Sequence, residues 1–144
     1  MLSTKATYAL AVLAGLAIGF IAPEILGYTN AITLPEFYRE FSGGWQTFGL
    51  ILWEWLVVRV PAYGLLGALA VVVLMRSGSG AWLKLCLIVI AAELIVSFWV
   101  LPTLYGMTPP MRMLPEVWAF HLAALLPGVL IAGFLEGGRQ PHSA

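Results

Sequence analysis

The sequence predicts an all-α integral membrane protein with four transmembrane helices. Of its 144 residues, 61% are hydrophobic and only 10% are charged, and the mean hydropathy is +0.95. A water-soluble domain of this length could not enclose so much apolar side chain in one core. The apolar residues also form four long runs, each close to the roughly 20 helical residues that cross a hydrocarbon core of about 30 Å.

These runs make a single transmembrane domain. The predicted spans are 8–26, 55–75, 82–101 and 117–135, with outer loops at 27–54 and 102–116 and a polar tail at 136–144. Because Lys5 precedes the first run, that run has the flanking charge of a signal peptide. It lacks a clean Ala-x-Ala-like cleavage site, so we expect it to be retained.

Positive charges predict the orientation. One side of the membrane receives Lys5, Arg76, Lys84 and Arg139, and the other receives Arg39 and Arg112, with Arg59 as a third candidate. Lys and Arg are enriched in cytoplasmic segments. We therefore expect both termini to be cytoplasmic, in a bacterial inner (plasma) membrane.

The second span is the least regular, because residues 45–75 are apolar throughout and Pro61 interrupts them. In one interpretation the Trp-rich residues 45–58 lie in the outer leaflet, and a short span runs from Arg59 to Arg76. In the other, a single long tilted helix is kinked near Val60. Before this region, LPEFYREF at 34–41 predicts a short amphipathic helix on the outer surface.

Two outer segments resemble each other, PEILGYTNAITLPE at 23–36 and PTLYGMTPPMRMLPE at 102–116. Each is expected to leave an odd-numbered helix through its proline and to end in Leu-Pro-Glu at a helix start. A tandem repeat of one helical hairpin would produce this pattern. The same pattern would also arise without a repeat, because proline, glycine and glutamate commonly occur where helices end and begin.

Small residues at four-residue spacing predict close helix packing, because helices in lipid associate through near backbone approach. The first span carries Ala11, Gly15 and Gly19, the second Gly64 and Ala68, and the fourth Ala124, Gly128 and Ala132. These residues hold a four-helix bundle together in one interpretation. In the other, the GLAIG of the first span binds a partner helix or a second copy of the chain.

The third span carries a carboxylate, Glu93, midway between Lys84 and Pro102. A charge near the bilayer midplane must pair, take up a proton or face water. Two candidate partners exist: His121 on the fourth span, at similar depth, and Arg59, whose long side chain approaches from the outer interface. Ser97 shares the helical face of Glu93. Arg59 and Glu54 are expected at the mouth of this polar cluster.

The cluster allows three interpretations. It is a structural clasp, a proton, ion or polar head-group site, or a place where His121 ligates a metal or a tetrapyrrole.

Tryptophans are concentrated on the outer side: Trp45, Trp53, Trp55, Trp99 and Trp118. They form an ordinary interfacial belt, or they contact a protein or an amphipathic ligand such as a quinone or lipid.

No motif indicates a catalytic site. A net charge of zero argues against a nucleic-acid partner, and the single cysteine, Cys86, excludes an internal disulfide. Too few ligands accompany His121 for a metal site to be predicted. We expect a non-catalytic integral membrane subunit that packs against other transmembrane subunits and lipid. The alternatives are a small oligomeric transporter or channel using Glu93, or a quinone- or pigment-binding membrane protein.

Overall fold

The chain forms a bundle of long helices, described by a computed structural model over residues 2–29, 44–78, 81–106 and 114–138. The helices are α1 (Thr4–Thr29), α2 (residues 44–77), α3 (Trp82–Leu104) and α4 (Leu114–Gly137). Three segments are long and apolar enough to cross a membrane: Thr4–Tyr28, Phe48–Ser77 and Trp82–Leu104. The prediction of an all-helical chain is thereby confirmed in the described residues, with three helices that could span a membrane.

The helices extend beyond the predicted spans, because helical hydrogen bonding continues into the flanking residues. Pro23 lies inside α1, which runs on to Thr29, and Pro102 lies inside α3. The expectation that each proline marks a helix end is therefore wrong. The predicted surface helix at 34–41 lies outside the described residues, as do residues 30–36 and 107–113 of the two similar segments. The second Leu-Pro-Glu is described, and it begins α4 at Leu114 as predicted.

The second helix, α2, is continuous, which decides between the two interpretations of this region in favour of one long helix. It is α-helical over Gly44–Trp53, π-helical over Glu54–Leu65 and α-helical again over Leu66–Ser77. Pro61 falls within the π-helical part, where hydrogen bonds run from i to i+5. The missing N–H of this proline is thus accommodated by a change of helix type without a break.

Helices that run in the same direction pack most extensively, α1 against α3 and α2 against α4. At the first contact, a Cβ added to Gly15 would lie against the Val89 carbonyl and 2.7 Å from the Ala92 Cβ, and Gly19 meets Val96 in the same way. The glycines of the GLAIG sequence therefore face α3 of the same chain. Of the two interpretations of these glycines, this contact agrees with packing within the bundle.

Glycine also brings α2 and α4 together. A Cβ on Gly64 would lie 2.7 Å from the Ala124 carbonyl oxygen, and Gly128 meets the backbone of Gly64. Gly67, opposite Val129, occupies the position in this contact that was predicted for Ala68, and Ala68 is only partly buried at the edge of the core. The other predicted packing alanines are buried: Ala11, Ala124 and Ala132.

One end of the bundle gathers the start of α1 and the ends of α2 and α4. The Leu2 amide donates to the Ser77 carbonyl over 3.0 Å. Arg76 on α2 binds Glu136 on α4, with its Nη2 2.8 Å from Oε1 and its Nε 3.3 Å from Oε2. We call this the inner end of the bundle, and the opposite end the outer end.

Candidate functional site

A carboxylate and an imidazole meet inside the bundle. Glu93 on α3 is completely buried and the His121 side chain on α4 is 5% exposed. The Nε2 atom of His121 lies 3.0 Å from Oε1 and 3.0 Å from Oε2 of Glu93. The Ser97 hydroxyl donates to Glu93 Oε1 over 2.5 Å. Both carboxylate oxygens therefore have a polar partner, as a buried carboxylate requires.

The sequence builds this arrangement from simple helical relations. Ser97 follows Glu93 by four residues, so it lies one turn further along the same face of α3. The neighbouring helix α1 can approach Glu93 because it presents glycine there. A Cβ on Gly15 would be 3.1 Å from the Glu93 amide nitrogen, and one on Gly19 would be 3.3 Å from its carbonyl oxygen. The glycine pair on α1 therefore closes that side of the site.

Aromatic rings form the remaining walls around His121. The ring of Tyr63 on α2 lies 4.4 Å from the imidazole and that of Phe98 lies 5.1 Å away, both edge to face. The Tyr63 hydroxyl also interacts with Ser97, and Tyr63 interacts electrostatically with the charged side chains of Glu93 and Arg59. Tyr63 was not predicted as a member of the cluster, although its position one turn after Arg59 could have indicated it.

Arg59 and Glu54 form a second polar group, one turn further toward the outer end. Arg59 donates from Nε and Nη2 to Glu54 Oε1, over 3.0 and 2.9 Å. The two residues are five apart, which places them on one face of a π-helix. The structure thus joins Glu93, His121 and Ser97 in one cluster, and pairs Arg59 with Glu54 beside it. The Arg59 side chain is 28% exposed and the Glu54 side chain is 47% exposed.

Toward the inner end, the site is closed by apolar packing. Val89, Leu125 and Val129 are completely buried in this layer, and Cys86 Sγ lies 3.5 Å from the Val129 carbonyl oxygen. The next charged contact in the described chain is the pair of Arg76 and Glu136. The cluster therefore has polar neighbours on one side only.

The geometry limits what the site can bind. Among the described residues, no three His, Cys, Asp or Glu side chains converge as a metal site requires. The Nε2 of His121 is already directed at Glu93, so this atom does not face a space that could admit a tetrapyrrole. Chemically, the cluster is suited to holding or passing a proton.

No family model, characterised protein or solved structure matches this chain. The functional interpretation accordingly rests on the residues and contacts described above.

The outer tryptophans do not form one uniform belt. Trp99 on α3 is 47% exposed, whereas Trp118 stacks on Phe98 with ring centroids 4.5 Å apart. The indole nitrogens of Trp55 and Trp118 are buried, with no hydrogen-bond partner in the described part of the chain. Trp45 and Trp53 lie in the first part of α2. The belt interpretation therefore suits Trp99 and does not suit Trp118.

A shallow apolar groove lies between the outer part of α2 and α4. Its volume is about 200 Å³, and its lining residues are Phe48, Ile51, Leu52, Trp55 and Ala123. None of the residues of the Glu93 cluster lines it. The groove and the buried polar site are therefore separate features.

Proposed function

We propose that the protein is a non-catalytic integral membrane subunit that packs against and stabilises a larger membrane complex in the bacterial inner (plasma) membrane. The observation that carries this proposal is the length of α2. Its apolar segment Phe48–Ser77 has 30 residues, or roughly 40 Å of helix, because its π-helical residues rise less than the 1.5 Å of α-helical ones. A hydrocarbon core is about 30 Å thick, and a tilt of about 20° lengthens the path by only about 2 Å.

Arg76 at the inner end provides a reference for depth. About 30 Å of helix from this residue ends near Glu54, so residues 48–53 extend past the hydrocarbon. Within that extension, Phe48, Leu50 and Ile51 are 57%, 43% and 48% exposed. Lipid tails do not cover side chains at that level. A neighbouring transmembrane subunit, or a second copy of this chain, would cover them.

We propose further that α4 also crosses the membrane, giving four spans with both termini cytoplasmic. The ion pair of Arg76 and Glu136 supports this, since it places the end of α4 level with the end of α2. The contact of Leu2 with Ser77 supports a common side for the N-terminus. The excess of Lys and Arg on that side favours the cytoplasm.

A tandem hairpin repeat is consistent with the packing. If α1–α2 and α3–α4 are two copies of one hairpin, the equivalent helices are α1 with α3 and α2 with α4. These are the pairs in most extensive contact. Parallel repeats related by an axis along the membrane normal have this arrangement.

A small oligomeric transporter or channel is the second candidate function. The observation that favours it is a carboxylate, Glu93, buried at about half the length of α3 with polar neighbours toward the outer end. A quinone or pigment would instead occupy the apolar groove beside Trp55. If Glu93→Gln caused no loss of substrate flux, a transporter or channel function that uses Glu93 would be ruled out.

Extraction in mild detergent tests the subunit proposal. We expect the chain to co-purify with other membrane polypeptides at fixed stoichiometry. Phe48→Ala should weaken this association, because Phe48 lies on the exposed extension of α2. Phe20→Ala is the matched control, since Phe20 is 46% exposed but lies within α1 at lipid depth. Recovery of this polypeptide alone would contradict the proposal.

A further inference from the structure

We propose that Glu93 and His121 form a proton-binding site that exchanges its proton with the outer end of the bundle through the hydroxyl groups of Ser97 and Tyr63. This inference is independent of the subunit proposal, because it rests on contacts inside the bundle. Its ligand is a single proton.

Charge balance inside the bundle indicates why a proton binds. A carboxylate beside a neutral imidazole carries one net negative charge, and one added proton makes the pair neutral. An uncompensated charge is costly in a buried, apolar setting. Nε2 is equidistant from both Glu93 oxygens, which suits an N–H directed between two carboxylate oxygens. The site therefore gains stability by holding one proton.

Few charged or titratable groups surround the pair in the described chain. α1 has no charged or titratable residue between Tyr8 and Glu24 and brings its backbone at Gly15 and Gly19 against Glu93. α3 and α4 contribute Glu93 and His121 themselves. From α2 come Tyr63 and, one turn outward, Arg59 with its partner Glu54. Since Arg59 and Glu54 neutralise each other, the proton is held by the buried pair.

A line of hydroxyl groups leads outward from the carboxylate. The Ser97 hydroxyl donates to Glu93 Oε1, and the Tyr63 hydroxyl interacts with Ser97. Next outward is Arg59, whose side chain is 28% exposed. Each hydroxyl can donate and accept a hydrogen bond, so this line has the composition of a proton relay.

The relay conserves atoms and charge. Hydronium at the outer end gives a proton to the Tyr63 oxygen and becomes water. The phenolic proton of Tyr63 passes to the Ser97 oxygen, and the Ser97 proton passes to Glu93. Each hydroxyl gains one proton and loses one, while the buried pair gains one. Toward the inner end, Val89, Leu125 and Val129 are completely buried and offer no polar continuation.

Both relay residues lie on π-helical turns. Tyr63 belongs to Glu54–Leu65 and Ser97 to Val96–Val100. π-Helical stretches are rare, and single π-helical turns such as Val96–Val100 occur frequently at functional sites. Their coincidence with the two hydroxyls that approach Glu93 is a second observation in favour of the relay.

Proton exchange at His121 tests the proposal directly. The chain has two histidines, so His142→Gln leaves one imidazole whose ¹⁵N signals can be followed by NMR in lipid nanodiscs. We expect Tyr63→Phe and Ser97→Ala each to slow exchange of the His121 ring proton at least tenfold, with its chemical shift unchanged. Tyr28→Phe is the control, because Tyr28 is 79% exposed and remote from the cluster.

Two results would overturn the proposal. One is exchange at the wild-type rate in both Tyr63→Phe and Ser97→Ala. The other is an imidazole signal in Glu93→Gln that still reports a doubly protonated ring, because the added proton would then not depend on the carboxylate. Slowed exchange in the two relay variants and a singly protonated ring in Glu93→Gln would together support it.

Discussion

The imidazole of His121 meets the carboxylate of Glu93 symmetrically, with Nε2 3.0 Å from each oxygen. This contact joins α3 to α4 in the interior of the bundle, where Glu93 is completely buried. Three further features surround it: the glycines of α1, the Tyr63 ring on α2 and the Ser97 hydroxyl. Each can be perturbed separately.

Removing one member of the pair should destabilise the bundle strongly. We expect His121→Leu or Glu93→Leu to lower the free energy of unfolding by about 3–5 kcal/mol, since each leaves a buried polar group without its partner. The double variant should recover most of this loss, because it buries no polar group. Denaturant unfolding in detergent, followed by tryptophan fluorescence, measures all three. A double variant as unstable as the sum of the singles would argue against direct coupling.

The contact between α1 and α3 should tolerate no side chain at Gly15. We expect Gly15→Ala to cost about 1–3 kcal/mol of unfolding free energy, because its Cβ would press on the Val89 carbonyl and the Ala92 Cβ. Gly27→Ala is the matched control, as a Cβ there meets nothing within 4 Å. Equal melting temperatures for the two variants would show that α1 does not pack on α3 at this residue.

The ion pair at the inner end should respond to charge reversal. We expect Arg76→Glu and Glu136→Arg each to lower the melting temperature, because like charges would then face each other across α2 and α4. The double reversal restores opposite charges and should recover stability. The effect should shrink at high salt, since the Arg76 side chain is 62% exposed. If the melting temperature did not recover in the double variant, Arg76 and Glu136 would not be in contact.

Cysteine labelling should reveal the sidedness of the bundle. Leu2→Cys and Gly138→Cys should react with a membrane-impermeant maleimide only in inverted vesicles, whereas Tyr28→Cys and Tyr105→Cys should react in intact cells. All four positions are exposed, and the native Cys86 is completely buried, so it serves as an internal control. Labelling of Leu2→Cys and Gly138→Cys from opposite sides would contradict a common location of the termini.

Much of the architecture could be predicted from apolar run length alone, since hydrocarbon thickness fixes how long a spanning helix must be. The pairing of Glu93 with His121 could be anticipated from their similar depth and from the cost of an isolated carboxylate. The partner of Arg59 could not be predicted in this way. It pairs with Glu54 because this part of α2 is π-helical, and residue spacing alone assumes α-helical geometry.

The glycine contacts show the same limit to what can be predicted from sequence. Four-residue spacing identifies Gly15, Gly19, Gly64 and Gly128 as packing residues, because small side chains permit close approach in any helix pair. Which helix each glycine meets depends on contacts distant in the chain. For this reason spacing alone left two interpretations of the GLAIG sequence, packing within the bundle or binding of a partner helix, and the structure packs it on α3.

Sequence by itself determined the class of the protein, the helical content and the residues that must be buried or paired, because these follow from local composition and from the properties of lipid. Tertiary structure decided that α2 is continuous through Pro61, that α1 packs on α3, and that Tyr63 and Ser97 adjoin the Glu93 and His121 pair. Those outcomes depend on helix type and on how separate helices rotate against one another. Neither is encoded in the spacing of residues along one helix.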